Sequence, residues 1–125
     1  MDIEATGSML FVKDFDRMVQ FYEEQLGLKA DLRASMDGWR KYNLGSGSFA
    51  LHAIPPAFAD HIEIADPAEV RQGAAFKPVF IVRDLAAACT ELSGAGVSPL
   101  NPETTDLDAR VDFADPEGNV FQLST

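Results

Sequence analysis

Val12-Lys13-Asp14-Phe15-Asp16 and Val82-Arg83-Asp84-Leu85-Ala86 stand about seventy residues apart and say nearly the same thing. The first opens a helix-like run that closes at Leu26-Gly27, and the second opens one that closes at Ala95-Gly96. Downstream, Arg40-Lys41-Tyr42 sits as Arg110-Val111-Asp112 does, and the copies end alike in Phe49-Ala50-Leu51-His52 and Phe121-Gln122-Leu123-Ser124. Two copies of one supersecondary unit imply elements related by a pseudo-twofold axis, and a cleft on their shared surface is the first place to look for function.

Each copy can be read outward from its helix. A short apolar strand over 8–13 precedes Asp14, which caps a helix over 16–26 with an apolar stripe of Met18, Val19, Phe21, Tyr22 and Leu26; Gly27 stops it. Strands are predicted over 29–36, 39–44 and 48–54, with Asp37-Gly38 and Gly45-Ser46-Gly47 as turns. The second copy repeats this plan. A strand over 76–82, whose apolar run predicts burial on both faces, leads to a helix over 85–95 capped by Asp84 and ended by Gly96. Strands over 97–100, 109–114 and 119–124 follow, the last two joined by the turn Asp115-Pro116-Glu117-Gly118-Asn119. Residues 55–75, with Pro55-Pro56 and mixed charges, read as a crossover between βαβββ modules at about 7–54 and 76–125.

A chain of 125 residues is one ordinary domain, so the halves are expected to share a core. Apolar content of 46% and charged content of 24% are those of a globular protein. The net charge of −10 argues against nucleic acid, which needs clustered Lys and Arg, and against anionic membranes. Cys89, the only cysteine, lies in an apolar helix segment and reads as a buried thiol; no intrachain disulfide can form. Without a secretory apolar region or a long apolar run, the expected location is cytoplasmic.

Phe21-Tyr22-Glu23-Glu24-Gln25-Leu26-Gly27 and Asp115-Pro116-Glu117-Gly118-Asn119-Val120-Phe121-Gln122-Leu123, in this order and within a repeat, resemble the vicinal oxygen chelate superfamily. That group holds glyoxalase I, bleomycin- and fosfomycin-resistance proteins and extradiol dioxygenases. The resemblance covers all but the crossover. It implies an α+β fold of tandem βαβββ modules, with curved mixed sheets around a cavity, helices on the convex side, and module pairing often completed across a homodimer. Enzymes of the family hold a divalent metal through side chains from the first and last strands of each module. Counting from the repeat places those positions at Gly7, Lys77, Ala50 and Gln122.

Gly7 and Ala50 offer no ligand atom, a charged Lys77 has no lone pair, and one Gln122 amide oxygen does not hold a transition metal against water. A family metal site is therefore not expected. His52 lies two residues beyond Ala50 and so on the same strand face; it reads either as a displaced ligand or general base, or as a partly exposed histidine at a strand end. His61, in the crossover, reads as solvated. Lys77 shares a predicted strand face with Val79 and Ile81, which the family analogy turns into the cavity. A cavity ammonium needs a carboxylate of this chain, the Gln122 amide or an anionic ligand. Two readings follow: an anion-binding lysine, or an internal bridge that staples the module. Arg40 and Arg110, at equivalent places in the repeat, could clamp a planar anion or face solvent. Trp39, Tyr42, Phe49 and Phe113 could wall an aromatic ligand or form core. No phosphate-cradling loop, zinc spacing or nucleophile elbow occurs.

The expected function is binding of a small molecule, anionic or aromatic, in a metal-free cavity, in the manner of bleomycin-resistance proteins, with Lys77, Gln122, His52, Arg40, Arg110 and Trp39 as candidate contacts. The alternative is a metal-dependent lyase, isomerase or dioxygenase with a displaced site using Lys77, His52 and Gln122. A structural dimer module, its cavity filled by its own side chains, is the third reading.

Overall fold

The computed structural model describes residues 1–102 and 109–125. The predicted second module includes 103–108, which lie outside the described residues. The chain divides into two units, Met1–Glu63 and Ile64–Thr125. The crossover is thus shared: Lys13 Nζ donates to the Ile62 carbonyl in the first unit, and the remainder of the crossover belongs to the second.

In the first unit, β1 (Gly7–Val12) leads into α1 (Phe15–Gln20), and β2 (Trp39–Leu44) and β3 (Gly47–Ala53) complete a sheet of order β1-β3-β2. β3 is parallel to β1 and antiparallel to β2. Asp14 caps α1 by accepting from the Arg17 N–H at 3.2 Å. The predicted helix does extend past Gln20, but as a wider π turn over Phe21–Gln25, with Leu26 N–H bonded to Phe21 O at 3.1 Å. Gly27, at φ +76°, stops it as expected. The turn carries Phe21 and Tyr22 into a core with Met18, Val12, Tyr42, Phe49 and Leu51.

The second unit repeats the plan. β4 (Val79–Ile81), α3 (Leu85–Gly94), β5 (Arg110–Ala114) and β6 (Val120–Ser124) give a sheet of order β4-β6-β5, again with one parallel and one antiparallel pairing. Asp84 caps α3 through the Ala87 N–H at 2.9 Å, and Gly96, at φ +84°, ends it. Leu85, Leu92, Val111, Phe113, Phe121 and Leu123 form the core of this unit.

Three sequence expectations are corrected. The strand predicted over 29–36 is reduced to two isolated bridges, Ala30 with Tyr42 and Met36 with Trp39, with a one-turn helix over Leu32–Ala34 between them. The cause is Asp31, whose carboxylate accepts from Arg33 N–H (3.1 Å) and Ala34 N–H (3.4 Å) and so offers the backbone an alternative to a ladder. The strand predicted over 97–100 is also missing. Val97 N–H closes the helix end on Leu92 O at 2.8 Å, and Pro99 and Pro102 supply no ladder donors. What survives of the extra strand in each unit is equivalent: Asp31 N–H to Lys41 O at 2.8 Å, and Leu100 N–H to Asp112 O at 2.9 Å. Finally, the strand predicted over 76–82 shrinks to β4, with Lys77 before it, and Val79 and Ile81 are exposed rather than buried on both faces. β4 is an edge strand and only Phe80 turns toward the helix side, where its ring meets Phe121 edge-on.

A short helix, α2 (Pro56–Ala59), opens the crossover, started by Pro55-Pro56. Further on, the crossover crosses the turn at 115–119. Arg71 N–H donates to Gly118 O at 2.9 Å, and a Cβ on Gly118 would lie 2.1 Å from Glu69 O. Only glycine admits this crossing. Among the described residues no helix is long and apolar enough to cross a membrane.

Candidate functional site

Strand register decides which side chains share a face. Gln122 stands directly opposite Asp112 on β5 and Val79 on β4; in the first unit Ala50 stands opposite Lys41 and Met9. Ala50 and Gln122 are therefore equivalent, and so are Gly7 and Lys77, each two residues before the partner on the parallel strand. This face lies away from the helix, because the alternate residues Phe49, Leu51, Phe121 and Leu123 bring the large apolar side chains to the cores.

In the second unit three candidate-site side chains converge. Lys77 Nζ lies 3.0 Å from both Asp112 carboxylate oxygens, and Gln122 Nε2 donates to Asp112 Oδ1 at 2.7 Å. The ion pair is open to solvent, with side-chain exposures of 36% for Lys77 and 31% for Asp112. Beside it lies a cavity of about 230 Å³ lined by residues including Arg71, Phe76, Lys77, Leu100, Asp112 and Val120. Sequence reasoning missed Asp112 and Arg71. The alternation of Arg110-Val111-Asp112-Phe113 puts Asp112 on the face of Gln122 and was a usable signal. Arg71 had none, since its place depends on the path of the crossover.

Arg71 is held by neutral acceptors. Its Nη2 donates to Asn119 Oδ1 and, at 3.4 Å, to Glu117 O. The turn itself is organised by Asp115, buried, whose carboxylate accepts from Glu117 N–H (3.0 Å), Asn119 N–H (2.9 Å) and Asn119 Nδ2 (2.9 Å to Oδ2). Because Asn119 spends its amide hydrogens on Asp115, its oxygen is turned toward Arg71.

The other candidates lie elsewhere. In the first unit His52 sits between Phe11 (ring centroids 5.1 Å apart) and Trp39 (5.4 Å, edge-on), on the face away from the helix. Arg40 is on the opposite, helix-side face: its Nε and Nη2 donate to Glu23 at 2.6 and 3.1 Å, and Tyr42 OH donates to the same carboxylate at 3.2 Å. Its hydrogen bond to Arg40 holds the Glu23 carboxyl below the usual range, against the opposing effect of burial. Burial, with Glu23 beside it, pushes the Tyr42 phenol up. The equivalence of Arg40 and Arg110 is corrected by the register. Arg40 stands opposite Leu51 but Arg110 opposite Ser124, the counterpart of His52, so the letters match one residue out of step and the two guanidinium groups start from opposite faces. Arg110 and His61 are exposed. Tyr42, Phe49 and Phe113 are fully buried core, so that of the four aromatic candidates Trp39 alone lies on the outer face, beside His52 and Phe11.

The donor set does not fit a divalent metal at the family positions. Gly7 and Ala50 bring no side-chain donor atom, and the Lys77 ammonium sits on Asp112, the carboxylate that Gln122 bonds. Among the described residues no group of three or more His, Cys, Asp or Glu could hold a metal ion.

Two sheets, each built in β-α-β-β order with a helix against one face, define an α+β class of tandem modules. The chain belongs to the Glyoxalase/Bleomycin resistance protein/Dioxygenase superfamily, whose family model matches residues 5–123. Solved structures agree on the fold. A glyoxalase/bleomycin resistance protein from Streptomyces sp. CB03234 is 22% identical, with a TM-score of 0.66 over 98% of this chain and 100% of that one. TnmS3, an antibiotic binding protein from the same organism, is 22% identical with a TM-score of 0.65, over 99% and 94%. A glyoxalase/dioxygenase from Nostoc punctiforme is 20% identical with a TM-score of 0.69, over 94% and 86%. No curated protein matches the chain.

Proposed function

We propose that this protein binds a small organic molecule, without a metal ion, on the open face of its C-terminal sheet. The observation that carries this reading is the cavity at Lys77, Asp112 and Phe76, where Lys77, which stands at a position the resemblance assigns to a metal ligand, pairs instead with Asp112. At about 230 Å³ the cavity is smaller than the roughly 300–1,000 Å³ of drug-sized sites, so it suits a single-ring molecule or one end of a larger one. The likeness to TnmS3, an antibiotic binding protein, supports sequestration over turnover. Exposed Met9 and Phe11 on β1, and Val79 and Ile81 on β4, support a homodimer as part of the same reading.

The test is elemental analysis of protein purified without added metal, followed by thermal titration with Ni²⁺, Zn²⁺, Mn²⁺ and Fe²⁺ and with a small-molecule set. The expected outcome is no stoichiometric metal, no metal-induced shift, and stabilisation by at least one organic compound. Lys77→Met should abolish or weaken that stabilisation while costing under about 1 kcal/mol of fold stability, because the pair is partly solvated. Tight, near-stoichiometric metal that is lost on His52→Ala would overturn the reading in favour of a displaced metal site.

A further inference from the structure

We propose that the C-terminal cavity is selective for a single-ring aromatic carboxylate and that Arg71 is the group that binds the carboxylate; this rests on the small-molecule reading above. Three observations carry it.

The first is the state of Arg71. The guanidinium is fixed at the cavity wall by a carbonyl and an amide oxygen, both set by the turn that Asp115 organises. Neutral acceptors orient it without cancelling its charge, and no carboxylate pairs with it among the described residues. Those contacts use Nη2, so Nε and Nη1 each keep a donor for a ligand oxygen, and a carboxylate gives either of them a charge-assisted hydrogen bond.

The second is local charge. Among the described residues, Arg71 and Lys77 line the cavity against a single carboxylate, Asp112, which Lys77 already neutralises. In a chain with 20 acidic and 10 basic residues this is a cationic spot on an acidic background. It favours an anion, since among the described residues of the lining the carboxylate open to a cation is Asp112, already held by Lys77.

The third is the apolar part of the wall. Phe76 is 59% exposed and lines the cavity with Leu100 and Val120. An aromatic ring placed there covers Phe76, and the volume admits one ring rather than several.

The experiment is amide-resolved NMR of the whole chain titrated with benzoate, with benzamide as its neutral counterpart and with benzylamine as a cation. Benzoate is expected to shift the amides of Gln72, Asn101 and Val120, and to bind roughly tenfold or more tightly than benzamide, the difference expected of hydrogen bonds to a charged group. Arg71→Gln should bring benzoate down to the affinity of benzamide and leave benzamide unchanged, whereas Arg71→Lys should recover part of the loss. Equal binding of benzoate and benzamide, tighter binding of benzylamine, shifts confined to other regions, or benzoate binding indifferent to Arg71→Gln would each overturn the proposal. In any of these cases the small-molecule reading stands. Failure of all three probes and of a mixed fragment set removes both. Should Arg71→Gln lose its dispersed spectrum, the benzoate-to-benzamide ratio of the unmodified chain, and its decline with salt, decides the matter.

Discussion

Glu23 and Arg40 are far apart in sequence, yet their paired contacts at 2.6 and 3.1 Å join the π turn to β2. Glu23→Gln removes the charge and leaves one amide oxygen for the Arg40 and Tyr42 donors, so it should cost about 1 kcal/mol, with a similar coupling to Arg40→Met in a double-mutant cycle. The same pair sets a pH dependence. The Glu23 carboxyl is depressed in the folded state, so its contribution is present above the ordinary value of 4.5 and is lost as pH falls through the lower folded value. Urea denaturation from neutral to acidic pH should therefore show a decline below that value that is shallower in Glu23→Gln. Two glycines make a second comparison. Gly27 and Gly118 both have positive φ, but a Cβ at Gly27 meets nothing within 4 Å, whereas at Gly118 it meets Glu69 O at 2.1 Å. Gly27→Ala should cost about 1 kcal/mol for backbone conformation. Gly118→Ala should cost at least about 2 kcal/mol more, because backbone must move. Urea midpoints that failed to separate the two would sink the claim that the crossover is seated on this turn.

At the scale of elements, the helix starts and stops were legible because their determinants are local. Asp14 and Asp84 announce the caps, and Gly27 and Gly96 the left-handed exits. Asp84→Ala should remove about 1 kcal/mol, read from the denaturation midpoint. The extra strands were not legible, since the period of 29–36 carries no sign that Asp31 will turn its carboxylate onto the chain behind it. Asp31→Ala should release the Leu32–Ala34 turn and speed amide exchange at Arg33 and Ala34. The site was legible in part. The repeat and strand alternation placed Lys77 and Gln122 on one face, and alternation alone could have added Asp112. Arg71 needed the three-dimensional path of the crossover, and the matching letters around Arg40 and Arg110 misled because a one-residue offset in a strand reverses the face.

For the molecule as a whole, each unit carries its own helix-on-sheet core, built twice from the same plan and then put to different uses. The open face of the first bears Phe11, His52 and Trp39; that of the second bears a lysine, a carboxylate and an amide. The division has a spectroscopic consequence. Trp39, Tyr22 and Tyr42 are the whole complement of tryptophan and tyrosine, and all belong to Met1–Glu63. The C-terminal unit, with the candidate site, is optically dark apart from its phenylalanines. Intrinsic fluorescence and the tryptophan and tyrosine bands of near-ultraviolet dichroism should therefore be lost together on denaturation, both reporting the first unit. Far-ultraviolet dichroism will follow the helices and strands of both. A chromophore introduced as Phe80→Trp would give the second unit a light of its own.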